Sequence, residues 1–423
     1  MLRVLGNRTY ARLFAAQVVA LLGTGLLTVA LGLLAFDIAG DHAGSVLGTA
    51  LTMKMVAYVG VAPMIAAVVD RLPKKTVLVA ADAVRLAIAV ALPFVDQAWQ
   101  IYVLIFILQS ASATFTPAFQ SLIPAVLPDA RDYTRALSLS RLAYDLESLL
   151  SPTIAAALLT VISYHHLFGG TAVGFAGSAA LVLASRLPAH ADAGGGMTFW
   201  QRLPLGVTVV ARTPTLRFLM LTNVAVAAGT ALVLVNSVVY ARAVFDRDEA
   251  AVAIALAAYG VGSLAMAFVI PRLTERFGVI RTMAGGAVGV VLGLAAAWAV
   301  TGVAAASGRG WPALLATWAL LGVSTSLMNT PSSRLLADAS TPENRNLVYT
   351  AQFALSHACF LVTYPIAGWI GARSLSLATA ALLALALAAT VAAIAYAAAT
   401  RLRTTSDAPP VREPEPEHED VVG

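Results

Sequence analysis

Long apolar stretches, each about as long as a bilayer-crossing helix, follow one another along almost the whole of this 423-residue chain. A helix needs about 20 apolar residues to cross the hydrocarbon core, and it satisfies its own backbone hydrogen bonds in lipid. Only 12% of the residues are charged, against about 25% in soluble proteins, which excludes a water-soluble enzyme. The pattern predicts an all-α membrane protein with twelve transmembrane helices at 13–36, 46–69, 76–95, 99–122, 138–162, 167–185, 216–244, 251–273, 279–303, 312–330, 347–371 and 375–399.

The basic residues are distributed unevenly between the loops. If the N-terminus is placed in the cytoplasm, most of the 27 Lys and Arg residues fall on the cytoplasmic side, and only Arg242, Arg247, Arg309 and Arg373 fall on the other. Cytoplasmic loops carry such an excess, so we predict a multi-pass protein of the inner (plasma) membrane with both termini in the cytoplasm. Topology accounts for the net charge of +5, and we expect no nucleic-acid partner.

Two short motifs of the first half recur in the second half. Thr116-Pro117 and the run 128–131 return as Thr330-Pro331 and the run 342–345, each 214 positions later. Parallel repeats of this kind hold a substrate site at their interface in one class of transporter. We therefore predict two pseudo-symmetric six-helix bundles. The expected domains are an N-terminal bundle (1–185), a flexible cytoplasmic linker (186–215), a C-terminal bundle (216–400) and a disordered acidic cytoplasmic tail (401–423).

The loop after the second span contains an acid, an arginine and two lysines, and it resembles the signature of the major facilitator superfamily. Ala66 and Pro73 stand where that signature usually has glycine. In the family, the acid and the base latch the cytoplasmic side between helices. The resemblance implies a conformational gate; a basic loop that only sets topology is the alternative. The gate residues would be Asp70, Arg71, Lys74, Lys75, Asp82, Arg85, Glu275 and Arg276, and we expect Asp82 and Arg85 to form an ion pair.

Three stretches resemble one branch of that superfamily more closely, the efflux proteins that include macrolide, siderophore and nickel-resistance exporters. The stretches 7–10, 139–148 and 356–359 look most like the nickel-resistance group. The resemblance implies export of nickel or cobalt, with export of a drug, macrolide or siderophore-type molecule as the alternative. The tail departs from that group, because it contains a single histidine, His418.

Two carboxylates lie within the fifth span. An ionisable residue inside a span raises the free energy of membrane insertion by about 2.5–3.5 kcal/mol. Asp145 and Glu147 are therefore candidates for a functional role in a water-filled cavity. Residues two apart point about 200° apart on a helix. One of them is therefore expected to face the cavity as a cation ligand or proton carrier, and the other to make a structural pair; the sequence leaves open which is which.

The eleventh span carries His357 and Cys359 near its middle. Imidazole and thiolate suit nickel, cobalt, zinc and copper, and an imidazole also carries protons near neutral pH. The predicted metal ligands are therefore His357, Asp145, Glu147 and Cys359. A hydrogen-bonded core histidine and a small buried cysteine are the structural alternatives, and for Cys359 the structural alternative is favoured.

Lys54 lies deep within the second span, too far from either end to reach water easily. Its ammonium group needs an acidic partner, and Asp37 at the end of the first span is the nearest in sequence. Lys54 is either a switch that releases a cation or one half of a structural ion pair. We count Lys54 and Asp37 with Asp145, Glu147 and His357 as candidates for substrate binding or proton coupling.

No nucleotide-binding or hydrolase motif occurs in the chain. The sequence therefore predicts a transporter that is not an enzyme, needs no cofactor and takes its energy from a gradient. Its expected partners are the transported ion or small molecule, protons and the lipid bilayer. We expect a monomer that exports its substrate against protons by alternating access.

Overall fold

The computed structural model describes residues 2–61, 72–127, 129–187, 199–267, 269–307, 310–341 and 344–402, and these are helical with no strand. The helices are α1 (Arg8–Ala39), α2 (Ala43–Val56), α3 (Lys74–Ala91), α4 (Ala98–Val126), α5 (Ala130–Leu159), α6 (His165–Leu183), α7 (Phe199–Arg212), α8 (Pro214–Val239), α9 (Glu249–Ala267), α10 (Ile270–Phe277), α11 (Val279–Ser307), α12 (Trp311–Asp338), α13 (Arg345–Pro365) and α14 (Leu375–Ala399). Short π-helical turns extend α2, α8 and α13 at Ala57–Val61, Tyr240–Val244 and Ile366–Ile370.

The predicted twelve-helix membrane fold is confirmed. Within the described residues, ten segments are long and apolar enough to span a membrane, and the first of them, Arg8–Gly60, contains both α1 and α2. The remaining span is α5, whose described residues include the short apolar helix Leu150–Leu159. The transmembrane helices are thus α1–α6, α8, α9 and α11–α14, and the chain is a multi-pass membrane protein.

Side chains at the helix ends satisfy backbone groups that have no partner within the helix. The Asn7 side chain accepts hydrogen bonds from the backbone N–H groups of Thr9 and Tyr10 at 3.0 and 3.1 Å, so it caps α1. Its Nδ2 also donates to the carbonyl of Val126 at 3.2 Å. One residue thereby fixes the start of α1 against the end of α4.

The predicted linker contains a helix in its second part, where Phe199–Arg212 forms α7. This helix packs against α13. A Cβ added to Gly206 would overlap the carbonyl oxygen of Leu347 and come within 2.9 Å of the Ala351 side chain. The helices cross so closely that only glycine fits, and α7 is a docked element. The glycines at 194–196 lie outside the described residues.

The two halves meet along two pairs of helices, α5 with α9 and α2 with α13. We call the end of the molecule predicted to face away from the cytoplasm, with the α1–α2 and α5–α6 connections, the outer end. There the Cβ position of Gly48 lies 2.7 Å from the Cα of Gly368. Trp369 Nε1 donates to Thr49 Oγ1 at 2.9 Å close by. The halves are therefore in direct contact at the outer end.

Candidate functional site

A cavity of about 370 Å³ lies between the halves, and residues of α1–α5, α8 and α9 line it. We call it the central cavity. Among the described side chains, its charged lining residues are Lys54, Arg85 and Glu147, which all belong to the first half. The remaining lining alternates apolar side chains with hydroxyl and amide groups, and the second half contributes Thr230 and Tyr259 to the polar part. The arrangement is a mixed-charge site near the middle of the helices, of the volume typical for small-molecule pockets.

Glu147 reaches this cavity from the middle of α5. A Cβ at Gly25 on α1 would lie 2.7 Å from Glu147 Oε1 and would overlap Ser151. The missing side chain at Gly25 therefore makes the space that the carboxylate occupies. The structure places Glu147 at the cavity, whereas the side chain of Asp145 lies outside the described part of the chain.

Lys54 shares the cavity with Glu147. Their charges act on each other, although no ion pair within 4.0 Å joins these two described side chains. The Lys54 ammonium lies 5.9 Å from the centre of the Tyr58 ring, within the range of a cation–π contact. The expected partnership of Lys54 with Asp37 is wrong, because Asp37 is exposed at the outer end of α1 and accepts a hydrogen bond from the hydroxyl of Tyr164.

The imidazole of His357 packs against the ring of Tyr58, and His357 is not among the residues that line the central cavity. The two rings are nearly parallel, at 8°, with centroids 5.6 Å apart. His357 Nδ1 lies 2.7 Å from the carbonyl oxygen of Phe353 on its own helix. Tyr58 thus lies between Lys54 and the imidazole and connects α2 with α13.

Cys359 lies in another place. Its Sγ donates to the carbonyl of Leu355 at 3.4 Å, and it lines a separate apolar pocket between α7, α8, α13 and α14. Within the described residues, no group of three or more His, Cys, Asp or Glu side chains is placed to hold a metal ion. The structure therefore does not bring Cys359 to Glu147 or to His357.

The predicted ion pair between Asp82 and Arg85 is confirmed on α3. Ser178 Oγ donates to the second Asp82 oxygen at 2.7 Å. The guanidinium group lies over the rings of Phe115 and Phe175, at 4.3 and 4.7 Å. Because Arg85 also lines the central cavity, this pair forms part of the cavity wall.

The other described gate residues lie at the helix ends that are predicted to face the cytoplasm. Lys75 Nζ donates to the carbonyls of Leu183 and Ser185 at 2.7 and 3.0 Å, so it caps the end of α6, a favourable place for a cation. Lys74 is buried at the start of α3, and Glu275 and Arg276 are exposed on α10. Asp70 and Arg71 lie outside the described residues, so the gate itself stays a prediction.

Sequence reasoning missed most of the polar wall. Gln17, Thr24 and Thr28 on α1 all line the cavity. Their spacing of seven and four residues places them on one face of a helix, a signal that was present in the sequence. Tyr58 and Thr230 gave no comparable signal, because single polar residues in apolar helices also bond to their own backbone.

Comparisons with known proteins agree with this architecture. The profile of the Major Facilitator Superfamily matches residues 13–246 and residues 218–422. The MFS-type transporter YfiS of Bacillus subtilis (strain 168) is 27% identical over 158 residues, which is 37% of this chain and 37% of that protein. The match therefore spans little more than a third of this relative.

Two solved structures share the fold. The nucleoside transporter NupG superposes with a TM-score of 0.68 at 13% identity, over 93% of this chain and 100% of that one. A POT family transporter in complex with 5-aminolevulinic acid superposes with a TM-score of 0.72 at 10% identity, over 93% and 96%. With the profile matches covering both halves, this chain belongs to the Major Facilitator Superfamily of membrane transporters.

Proposed function

We propose that this protein exports a small polar organic molecule across the inner (plasma) membrane in exchange for protons. The observation that carries the proposal is the central cavity, whose lining combines Glu147 and Lys54 with hydroxyl and amide groups and with apolar side chains. Such groups hydrogen-bond an organic solute, and buried ionisable groups inside a membrane mark coupling or substrate sites. The resemblance of 7–10, 139–148 and 356–359 to efflux proteins supports the direction.

Glu147 is the proposed proton carrier. As a carboxylate it offsets the positive charge of Lys54 in a site with little water. When Glu147 takes up a proton, that compensation is lost and the solvation of Lys54 becomes less favourable. Proton binding therefore changes the net charge of the cavity in which the substrate binds. This change couples proton binding to substrate binding, as proton exchange requires.

Nickel or cobalt export is the alternative function, which is implied by the resemblance of the three stretches to nickel-resistance exporters. Lys54 and Arg85 disfavour a divalent cation in the central cavity through charge repulsion. Of the ligands proposed for it, His357, Glu147 and Cys359 are not gathered among the described side chains, and the side chain of Asp145 lies outside them. The two solved structures named above are a nucleoside transporter and a transporter in complex with 5-aminolevulinic acid, and these organic solutes also favour an organic substrate.

Tolerance assays in a host that lacks its own exporters test the proposal. Cells expressing the wild type, Glu147→Gln or Asp132→Asn are exposed to small antimicrobials, a macrolide, a cationic dye, nickel and cobalt, at equal membrane abundance of each variant. Asp132 is the matched control, since it is an acid on the same helix α5 whose partner is Arg135 outside the cavity.

We expect the wild type and Asp132→Asn to protect against at least one organic compound and Glu147→Gln to protect against none. Protection against nickel or cobalt alone would replace the organic substrate with a metal. Full protection by Glu147→Gln would remove this residue from the mechanism.

A further inference from the structure

The apolar pocket that contains Cys359 is a groove on the side of the molecule. It has a volume of about 690 Å³ and lies between the linker helix α7 and the transmembrane helices α8, α13 and α14. We call it the lateral groove. Aliphatic side chains form most of its wall, among them Val207, Leu221, Val224, Leu355, Val362 and Leu385. Its polar lining is confined to a few residues, chiefly Arg217 and Tyr396.

The lateral groove faces the bilayer and runs along it. Val362 in its wall is 54% exposed, so the groove is open on the side of α13. Along α14 the lining extends from Leu385 to Tyr396, a distance of about 16 Å at the rise of an α-helix. The hydrocarbon of a single leaflet is about 15 Å deep, half of the bilayer core. The groove therefore has the length of one acyl chain lying in one leaflet.

A cation stands at one end of the groove. Arg217, near the start of α8, lines the groove and is exposed. Its Nε donates to the carbonyl of Ala211, and no acidic residue within the described chain pairs with it. Arg212 follows directly after the lining residue Ala211 in the chain. The charge distribution predicts this end to be cytoplasmic, where membranes carry their anionic lipids and basic pockets between helices bind lipid head groups.

We propose that the lateral groove binds an anionic glycerophospholipid of the cytoplasmic leaflet. One acyl chain lies along the aliphatic wall beside Cys359, and the phosphate lies against the guanidinium group of Arg217. The lipid touches α7, α13 and α14 together and so stabilises the docking of the linker helix. This site is separate from the central cavity and does not depend on the substrate proposed above.

The only cysteine of the chain reports on this groove without further engineering. The wild type is placed in nanodiscs of phosphatidylcholine, with or without a minor fraction of phosphatidylglycerol. The reaction of Cys359 with N-ethylmaleimide, an uncharged reagent, is followed by intact mass. A groove occupied four-fifths of the time leaves one-fifth of the thiols accessible, so phosphatidylglycerol should slow the reaction about fivefold.

Two substitutions of exposed arginines separate the groove from the membrane as a whole. Arg217→Gln should abolish the effect of phosphatidylglycerol, whereas Arg334→Gln, at an exposed position on α12 outside the groove, should retain it. Both proteins experience the same surface charge of the membrane, so only a bound lipid predicts the difference.

Equal rates in the two bilayers, or an equal effect of phosphatidylglycerol on Arg217→Gln and the wild type, would overturn the proposal. Protection that depends on the number of protein copies in each disc and not on phosphatidylglycerol would assign the groove to a second copy, and would overturn it as well. Mass spectrometry of lipids retained by the purified wild type and Arg217→Gln provides an independent measurement.

Discussion

The contact between α2 and α13 at the outer end predicts how a single methyl group shifts the conformational equilibrium. A Cβ added to Gly48 would lie 2.7 Å from the Cα of Gly368 and 2.9 Å from the carbonyl oxygen of Tyr364. Ordinary contacts of a Cβ begin near 3.4 Å. Gly48→Ala therefore forces the two halves apart by about 0.7 Å wherever they are in contact, whereas a state with separated halves accepts the methyl group freely.

The magnitude follows from the cost of overpacking a contact that cannot relax. Such substitutions cost about 1–3 kcal/mol, and each 1.4 kcal/mol corresponds to about a tenfold change in an equilibrium. Gly48→Ala should thus raise the ratio of outward-open to outward-closed protein by about five- to 150-fold. The substitution acts on the closed state alone, so it tests the assignment of the outer end as the closed side.

Accessibility of the central cavity measures this ratio. Thr28 lines the cavity, and Thr28→Cys in a Cys359→Ala background reacts with a membrane-impermeant thiol reagent only when the outer end is open. We expect Gly48→Ala to accelerate the reaction by the factor above. Gly285→Ala is the matched control, because no atom lies within 4 Å of its Cβ position. An unchanged rate in folded Gly48→Ala protein, or equal rates for the two glycine variants, would refute the reasoning.

Three further substitutions, one of them a matched control, test the packing of the described helices. Arg85→Gln removes the partner of the fully buried Asp82 and should destabilise the protein by about 3–5 kcal/mol. Arg135→Gln breaks an Arg–Asp pair of the same spacing, but there the side chains are 39% and 28% exposed. This control substitution should destabilise the protein by about 0–1 kcal/mol. Equal unfolding temperatures of the two variants would contradict the burial argument. Gly206→Ala should loosen α7 and expose it to proteolysis, since the added methyl group overlaps Leu347; greater resistance to proteolysis would show that the helical preference of alanine, about 1 kcal/mol, outweighs the clash.

The fold was readable from the sequence because lipid imposes a simple rule on length. Nearly every stretch of about 20 apolar residues became one helix, since a spanning chain has few other ways to satisfy its backbone. Helix α5 shows that the rule also holds where charges interrupt the pattern. Charged residues lie along its first two thirds, yet the whole of Ala130–Leu159 is helical, and Glu147 lines a cavity.

The partners within the site were not readable in the same way. Lys54 was assigned to Asp37 by distance along the chain, but helix α2 places its ammonium group near Glu147, which is far away in sequence. The helix within the linker was not predicted for a related reason. The docking of α7 depends on the close contact of Gly206 with α13, which is distant in sequence. Local pattern determines where a helix forms, and tertiary packing determines which side chains meet.

The chemistry of the central cavity is less symmetric than the fold. Lys54, Arg85 and Glu147 all come from the first half, whereas Thr230 and Tyr259 of the second half contribute hydroxyl groups. When the halves rock against each other, groups within one bundle keep their distances and only contacts across the interface change. In the proposed cycle Lys54 and Glu147 therefore remain coupled in every state. The hydroxyl groups of Thr230 and Tyr259 move relative to them. The proton site therefore moves with the first bundle, and the access of a substrate to that site depends on the position of the second bundle.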